Sequence, residues 1–350
     1  MAIHNLIDQL QAHGHLSADG YRQLLTTGDA AAVALLHERA RAVSQATWGR
    51  GIFVRGLIEL SNVCRNDCYY CGIRRSNHDV ARYTLSADEV LQCCHQGEAA
   101  GFRTFVLQGG EWDESRDQWI ADLVTAIRQR WPHCAITLSL GERRTRDSYA
   151  LWRECGANRY LLRHETHNAS HYATLHPADM LRDHRLQCLA WLKELGYQTG
   201  TGMMIGSPGQ TVDHLVEDIE YIAEVRPEMI GLGPFIPHPD TPLGHHRAGS
   251  VDLTLRLYSI FRLMFPQALI PSTTALATLT PSGRLDGILA GANVVMPNLS
   301  PTQRREQYAI YAGKASSGAE AAEGIAALER QLATIDYHID WGRGDHKQFR

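Results

Sequence analysis

The chain has 350 residues, 44% of them hydrophobic, and a formal charge of -4 from 34 basic and 38 acidic side chains. The near-balance of charge argues against a nucleic-acid-binding surface, and no apolar run reaches the roughly 18 residues of a membrane-spanning helix. Eight cysteines, five of them scattered, do not make the dense disulfide framework of a small secreted domain. The first residues carry Asp8 and no basic run, so no signal peptide is expected and the default location is the cytoplasm.

Residues 1 to 48 read as a helical N-terminal segment, with Ser17 opening one amphipathic helix and Asp29 capping another through Ala40. Beyond it, short apolar runs alternate with helical patterns through residues 49–350. The expected strands are Arg55–Leu60, Arg103–Gln108, Ala135–Ser139, Arg159–Glu165, Thr199–Ile205, Met229–Phe235, Leu269–Thr274 and Asn293–Pro297. Eight strand–helix units predict an α/β fold, a (β/α)8 TIM-type barrel. A doubly wound open sheet is the alternative, but no GxGxxG follows the first strand.

The motifs fall at the carboxyl ends of these strands, the face where barrel enzymes carry their sites. Cys64, Cys68 and Cys71 follow strand one, Gln108-Gly109-Gly110-Glu111 follows strand two, His164-Glu165-Thr166-His167 ends strand four, and Gly206-Ser-Pro-Gly-Gln210 ends strand five. Side chains alternate along a strand, so Arg159, Leu161, Arg163 and Glu165 share a face. Two arginines turned toward a helix layer would be costly. They are therefore expected in the lumen, making its top polar and positively charged. The His164–His167 spacing is not HExxH, so no second metal is expected there.

Three thiols are one short of a closed site. A structural zinc wants four ligands, usually from paired C-x2-C halves, and only one such half exists, so a zinc knuckle completed by His78 or His95 is the weaker reading. Three thiolates on a [4Fe–4S] cluster would leave one iron open. The CxxxCxxC spacing, with Tyr70 before the last cysteine, resembles the radical S-adenosylmethionine (SAM) superfamily. There the open iron chelates SAM, and an electron from the cluster releases a 5′-deoxyadenosyl radical. This likeness implies that Gln108, Gly109, Gly110 and Glu111 form the turn that binds the SAM amino group, and that Met204 and Ile205 form the ledge under adenine.

Longer stretches narrow the likeness: Ile58-Glu-Leu-Ser-Asn-Val-Cys64, Thr137-Leu-Ser-Leu-Gly-Glu142, Arg159-Tyr-Leu-Leu-Arg-His-Glu-Thr166, Gly231-Leu-Gly-Pro-Phe-Ile-Pro-His-Pro-Asp-Thr-Pro-Leu243 and Gly291-Ala-Asn-Val-Val-Met-Pro-Asn298. Over residues 50–315 the chain resembles the HydE family, radical SAM maturases of [FeFe]-hydrogenase. The resemblance implies that Glu165 and Arg185 hold SAM, the latter through its carboxylate. It implies that Arg159, Arg163, Thr273, Thr274, Tyr308 and Tyr311 line an anion-binding cavity, with Ser139 and Met296 close to the substrate. It further implies a small anionic substrate, a cysteine-bound iron carbonyl cyanide complex used in building the diiron subcluster of the H-cluster. The implied partners are an external electron donor, a radical SAM tyrosine lyase that supplies the complex and a GTPase scaffold that receives the product. Some members hold a second cluster through three cysteines near the C-terminus. Here no cysteine follows Cys188, and Ala312–Gly318 carries Ser and Ala instead, so no second cluster is expected. Methylornithine synthase and biotin synthase are the sibling alternatives. They share cluster and barrel and differ in the lumen.

Overall fold

A computed structural model describes residues 3–315 and 317–349. Its strands are β1 (Gly51–Val54), β2 (Gly56–Ser61), β3 (Thr104–Gly109), β4 (Ala135–Ser139), β5 (Arg159–Leu161), β6 (Gln198–Thr201), β7 (Met204–Ile205), β8 (Met229–Ile230), β9 (Gly233–Pro234), β10 (Val294–Val295) and β11 (His338–Asp340). Strands β2, β3, β4, β5, β6 and β8 form one parallel sheet. The ring then closes through the single bridges Met229 to Leu269, Pro271 to Val294 and Leu57 to Asn298, and through the parallel pairing of β10 with β1. The α/β barrel is therefore the observed fold, with helices packed outside the strands.

The seventh stave differs from the strand expected at Leu269–Thr274. It survives only as the bridges at Leu269 and Pro271, because Pro271 has no N–H to give a ladder. The fourth expected strand ends early, at Leu161, and the chain then bends so that Glu165 sits at φ +67°. A non-glycine residue there costs roughly 1–3 kcal/mol; the bend turns its carboxylate back toward the barrel mouth.

Ser17 and Asp29 do cap helices, Ala18–Thr26 and Ala30–Trp48. The second runs a full two turns past Ala40. Together with Ile3–His13 these helices share a core with barrel helices Val212–Val225 and Val251–Met264: Leu6, Ile7, Leu10, Leu24 and Leu36 pack among Leu215, Ile219, Leu257 and Phe261. The N-terminal segment is thus built into the barrel wall.

The C-terminus supplies a part that strand patterning missed. β11 pairs in parallel with β1, and residues 343–345 cross the barrel floor. The Arg343 carbonyl accepts from Thr104 Oγ1 at 2.8 Å and from Arg159 Nη2 at 2.7 Å; Asp345 Oδ1 accepts from Arg159 Nη2 at 2.6 Å and from Gln198 Nε2 at 2.7 Å. Arg159 does point inward, as parity requires, but at the floor. It is fully buried against Asp345 and does not line the cavity at the barrel mouth. The anionic partner it needs is part of the chain, which corrects its expected role in substrate binding.

Arg159→Ala is accordingly expected to destabilise the fold by about 3–5 kcal/mol, the cost of orphaning a buried charge, and to leave SAM cleavage by the surviving folded protein unchanged. Urea unfolding and 5′-deoxyadenosine release check the two halves. Burial works against Asp345, but Arg159, Gln198 and Arg343 hold its carboxyl at about 2 against an ordinary 3.8. The stabilisation is fully present above pH 4 and is lost as pH falls through 2, amounting to about 2 kcal/mol. Acid titration of unfolding should show this loss in the wild type and not in Asp345→Asn.

Candidate active site

Every motif-bearing loop converges on the carboxyl end of the barrel. Cys64, Cys68 and Cys71 sit on the loop after β2, all as free thiols. Burial comes first among the causes that push them up: Cys64 with help from Glu111, Cys68 with help from Cys71, and Cys71 to about 12 with help from Cys64. The mutual influence shows that the three sulfurs are neighbours. Among the described residues, the His/Cys/Asp/Glu trio whose ligand atoms all lie within 4.8 Å is Glu142, His184 and Cys188, so the loop cysteines are spread wider than the ligands of one ion. Such spreading suits a cube of iron and sulfide better than a single zinc, whose thiolates would stand about 3.8 Å apart. The Glu111 N–H donates to Cys64 Sγ at 3.3 Å, the kind of bond that tunes a cluster thiolate.

The turn after β3 is locked to the cysteine loop. Arg65 N–H donates to the Glu111 carbonyl at 2.8 Å, and the Arg65 guanidinium reaches Glu111 Oε1 at 2.8 Å. A Cβ on Gly110 would overlap the Val63 carbonyl oxygen, and one on Gly141 would overlap the Glu111 carboxylate. Gly110 thus serves the approach of turn to loop. Gly110→Ala is expected to cost about 1–3 kcal/mol through overpacking and to lower iron content after anaerobic reconstitution; unchanged iron and stability would refute the tight approach.

Arg185 is buried beside this turn. Its Nη2 meets Glu142 Oε1 at 2.6 Å, its Nε donates to Tyr172 Oη at 3.1 Å, and its Nη1 donates to the Arg163 carbonyl at 2.9 Å. Burial works against the charge, but Glu142, Tyr172, Tyr70 and Cys68 together outweigh it and keep the guanidinium charged. Tyr70 Oη lies 3.3 Å from His176 Nε2. Burial, then Arg185, lowers His176 to about 3, so its ring is neutral.

A cavity of about 240 Å³ opens behind Cys71. Its walls include Tyr70, Gln108, Arg163, Glu165, Met204, Thr273, Thr274, Met296, Tyr311 and Lys314. Tyr308 reaches it through Gln108, whose Nε2 lies 3.3 Å from the Tyr308 hydroxyl, and Ser139 neighbours Gln108 across the β3–β4 ladder. Ile205 is fully buried with Met203 and Leu215 in the wall behind Met204. The expected positive charge is not in excess here: Arg163 Nη2 meets Glu165 Oε2 at 2.8 Å, and Lys314 is paired with the fully buried Glu59. What the cavity does offer is unmet hydrogen-bonding capacity. Arg163 Nε and Thr273 Oγ1 are buried without a partner. Groups of this kind call for a ligand.

A larger cleft of about 580 Å³ lies elsewhere, lined by Lys193, Glu228, Pro266 and His346; none of the residues lining it is a cysteine.

The Radical SAM superfamily model matches residues 58–222. The [FeFe] hydrogenase maturase subunit HydE of Thermotoga maritima is 42% identical over 84% of this chain and 83% of its own length. The chain belongs to the HydE family. A 3-methylornithine synthase of Methanosarcina acetivorans is 29% identical over 85% of this chain and 83% of its own. The crystal structure of methylornithine synthase (PylB) superposes with a TM-score of 0.84 at 26% identity, covering 96% of this chain and 97% of that one. As a HydE-family radical SAM enzyme, the chain is expected to carry a [4Fe–4S] cluster and use SAM, and the three-thiol loop described above fits that group.

Three residues of this HydE-family site escaped the sequence reading as functional groups: Glu142, the partner of Arg185, and the Lys314–Glu59 pair at the cavity wall. Glu142 lies inside the Thr137–Glu142 stretch, three residues past the end of β4 at the barrel mouth, and that position is its signal. Lys314 lies in Ala312–Gly318, of which Ser316 falls outside the described residues. Among the described residues no helix is long and apolar enough to cross a membrane.

Proposed function

We propose that this maturase cleaves SAM reductively and directs the 5′-deoxyadenosyl radical at a small anionic iron complex, a cysteine-bound iron carbonyl cyanide, in assembly of the diiron subcluster of the [FeFe]-hydrogenase H-cluster. The observation that carries the reading is the sharing of one cavity by Cys71, the Glu165 carboxylate and the unpartnered Arg163 Nε and Thr273 Oγ1. A [4Fe–4S] cluster on Cys64, Cys68 and Cys71 would supply the electron that cleaves the sulfonium. The chain's own residues do the rest. Arg185 offers the SAM carboxylate the N–H groups that Glu142, Tyr172 and the Arg163 carbonyl leave over. The turn at Gln108–Glu111 presents backbone carbonyls to the SAM amino group. Glu165 and Met204 border the path from the thiols to the cavity. Arg163, Thr273, Thr274 and Tyr311 receive the substrate, with Ser139, Met296 and Tyr308 near it, while the apolar walls Leu57, Met296 and Ile236 keep water from the radical.

No second cluster takes part in this scheme. A cytoplasmic setting suits it, with an external electron donor, a radical SAM tyrosine lyase and a GTPase scaffold as partners. An amino-acid mutase would need a free carboxylate for a substrate ammonium group. Glu59 and Glu165 are both already paired, which favours the maturase over the methylornithine synthase reading.

Thr273→Val removes one donor and keeps the shape. It is expected to slow consumption of the iron complex roughly 2- to 10-fold, the worth of one neutral hydrogen bond, while uncoupled 5′-deoxyadenosine release stays constant. Activation of apo-hydrogenase in a defined maturation mixture tests the function itself. Omitting this chain should abolish activation; full activation without it, or isomerisation of an amino acid instead, would overturn the reading.

A further inference from the structure

The helix Arg182–Glu194 carries His184 and Cys188 one turn apart, so both side chains fall on one face. That face meets the turn after β4, which brings in Glu142. Cys188 Sγ lies 3.7 Å from His184 Nε2, His184 Nε2 lies 3.9 Å from Glu142 Oε2, and all three ligand atoms fall within 4.8 Å of one another. A tetrahedral zinc with ordinary bond lengths holds sulfur, nitrogen and oxygen ligands roughly 3.3–3.6 Å apart. The two legs to His184, at 3.7 and 3.9 Å, need to contract by only a few tenths of an ångström. A fourth donor is already at hand: the Arg143 carbonyl oxygen sits 3.1 Å from His184 Nε2 and 3.5 Å from Cys188 Sγ.

We propose that Glu142, His184, Cys188 and the Arg143 carbonyl form a second metal site, independent of the cluster, that takes one borderline divalent cation of the zinc type.

The surrounding charges permit it. The Arg143 guanidinium is turned away, onto Asp117 at 3.1 Å and over the Trp152 ring at 4.8 Å. Arg185 occupies the other oxygen of Glu142, so the carboxylate can bridge the guanidinium and the ion. The Cys188 thiolate and the Glu142 carboxylate set two negative charges against the ion and the Arg185 guanidinium. A cavity of about 390 Å³, lined by Glu142 and His184 with Arg65, Asp179 and Leu181, gives a way in from solvent. On binding, the Cys188 S–H proton passes to solvent as the sulfur–metal bond forms. The imidazole moves its remaining proton to Nδ1 so that Nε2 can ligate. No electron is exchanged. The shared carboxylate makes this ion a support for Arg185, which distinguishes the site from the cluster loop.

The test uses anaerobic holoprotein with its cluster filled, verified by iron and sulfide content, dialysed against zinc and washed. One zinc per chain is expected, with absorption-edge fine structure showing a single sulfur at about 2.3 Å and the remaining ligands nitrogen or oxygen at about 2.0–2.2 Å. Cys188→Ser should lose the sulfur shell. His184→Gln, at a half-buried position that tolerates change, should weaken zinc binding at least 10-fold and stands alone if the serine variant fails to fold. No retained zinc, a shell of two or more sulfurs, or unchanged affinity in His184→Gln would overturn the proposal.

Discussion

Cys68→Ala is expected to give a folded, colourless protein that releases no detectable 5′-deoxyadenosine. Two remaining thiolates cannot hold a cube that needs three, so the loss should be complete. The fold should survive because the loop is braced without metal. The Arg82 guanidinium donates to the carbonyls of Asn62, Ile73, Arg74 and Asn77, and Asn77 Nδ2 donates to the Gly72 carbonyl at 2.7 Å. Arg74 pairs with Asp67 at 2.6 Å and holds that carboxyl well below its usual range. These bonds shape the loop before any cluster arrives. Circular dichroism and urea unfolding should therefore match those of wild-type apoprotein, while iron and sulfide content falls to background. Retained iron with retained cleavage in this variant would contradict the three-thiol assignment.

Arg185→Ala is expected to cost about 3–5 kcal/mol of stability, because it strands Glu142 as a buried, unpaired charge. Glu142 lies against Glu111, which burial and Glu142 together already push up, so the removal of the guanidinium leaves two carboxylates facing each other. SAM affinity should fall roughly 10- to 150-fold as well, the worth of a charged hydrogen-bond pair. The two losses separate in Arg185→Met with Glu142→Gln. Neutralising both partners should restore most of the stability and none of the affinity. Equilibrium unfolding and SAM titration of the reconstituted enzyme measure them independently. A double variant that binds SAM like wild type would remove Arg185 from the SAM site.

The barrel was legible because its staves alternate. Parity correctly turned Arg159 inward, and Arg163 and Glu165 do reach the mouth, though there it is the bend after Leu161 that carries them and not a continuing strand. Parity says which way a side chain faces but not how deep along the barrel it lies, and Arg159 was misread for that reason. Its true partner, Asp345, is 186 positions away, in a floor segment whose polar run Gly342–His346 carries no periodic signal. The seventh stave lies where a strand is expected, at Leu269–Thr274, but Pro271 keeps the path of a strand without its ladder. At the site, the cysteine spacing and the glycine turn were readable as local patterns. The pairings that set its charge, Glu142 with Arg185 and Lys314 with Glu59, join residues from separate loops, and one sequence cannot reveal such distant choices. The cavity is consequently better matched in charge than the count of inward arginines suggested, and its unmet donors, Arg163 Nε and Thr273 Oγ1, are its clearest invitation to a ligand.

The most direct test is a single anaerobic turnover assay. The chain, reconstituted with iron and sulfide, is given SAM and a one-electron reductant, and 5′-deoxyadenosine is quantified against a control lacking the reductant. The predicted result is reductant-dependent 5′-deoxyadenosine from a brown protein holding four irons at Cys64, Cys68 and Cys71. An intact cluster that leaves SAM whole, or a colourless protein holding zinc on those three thiols, would contradict it.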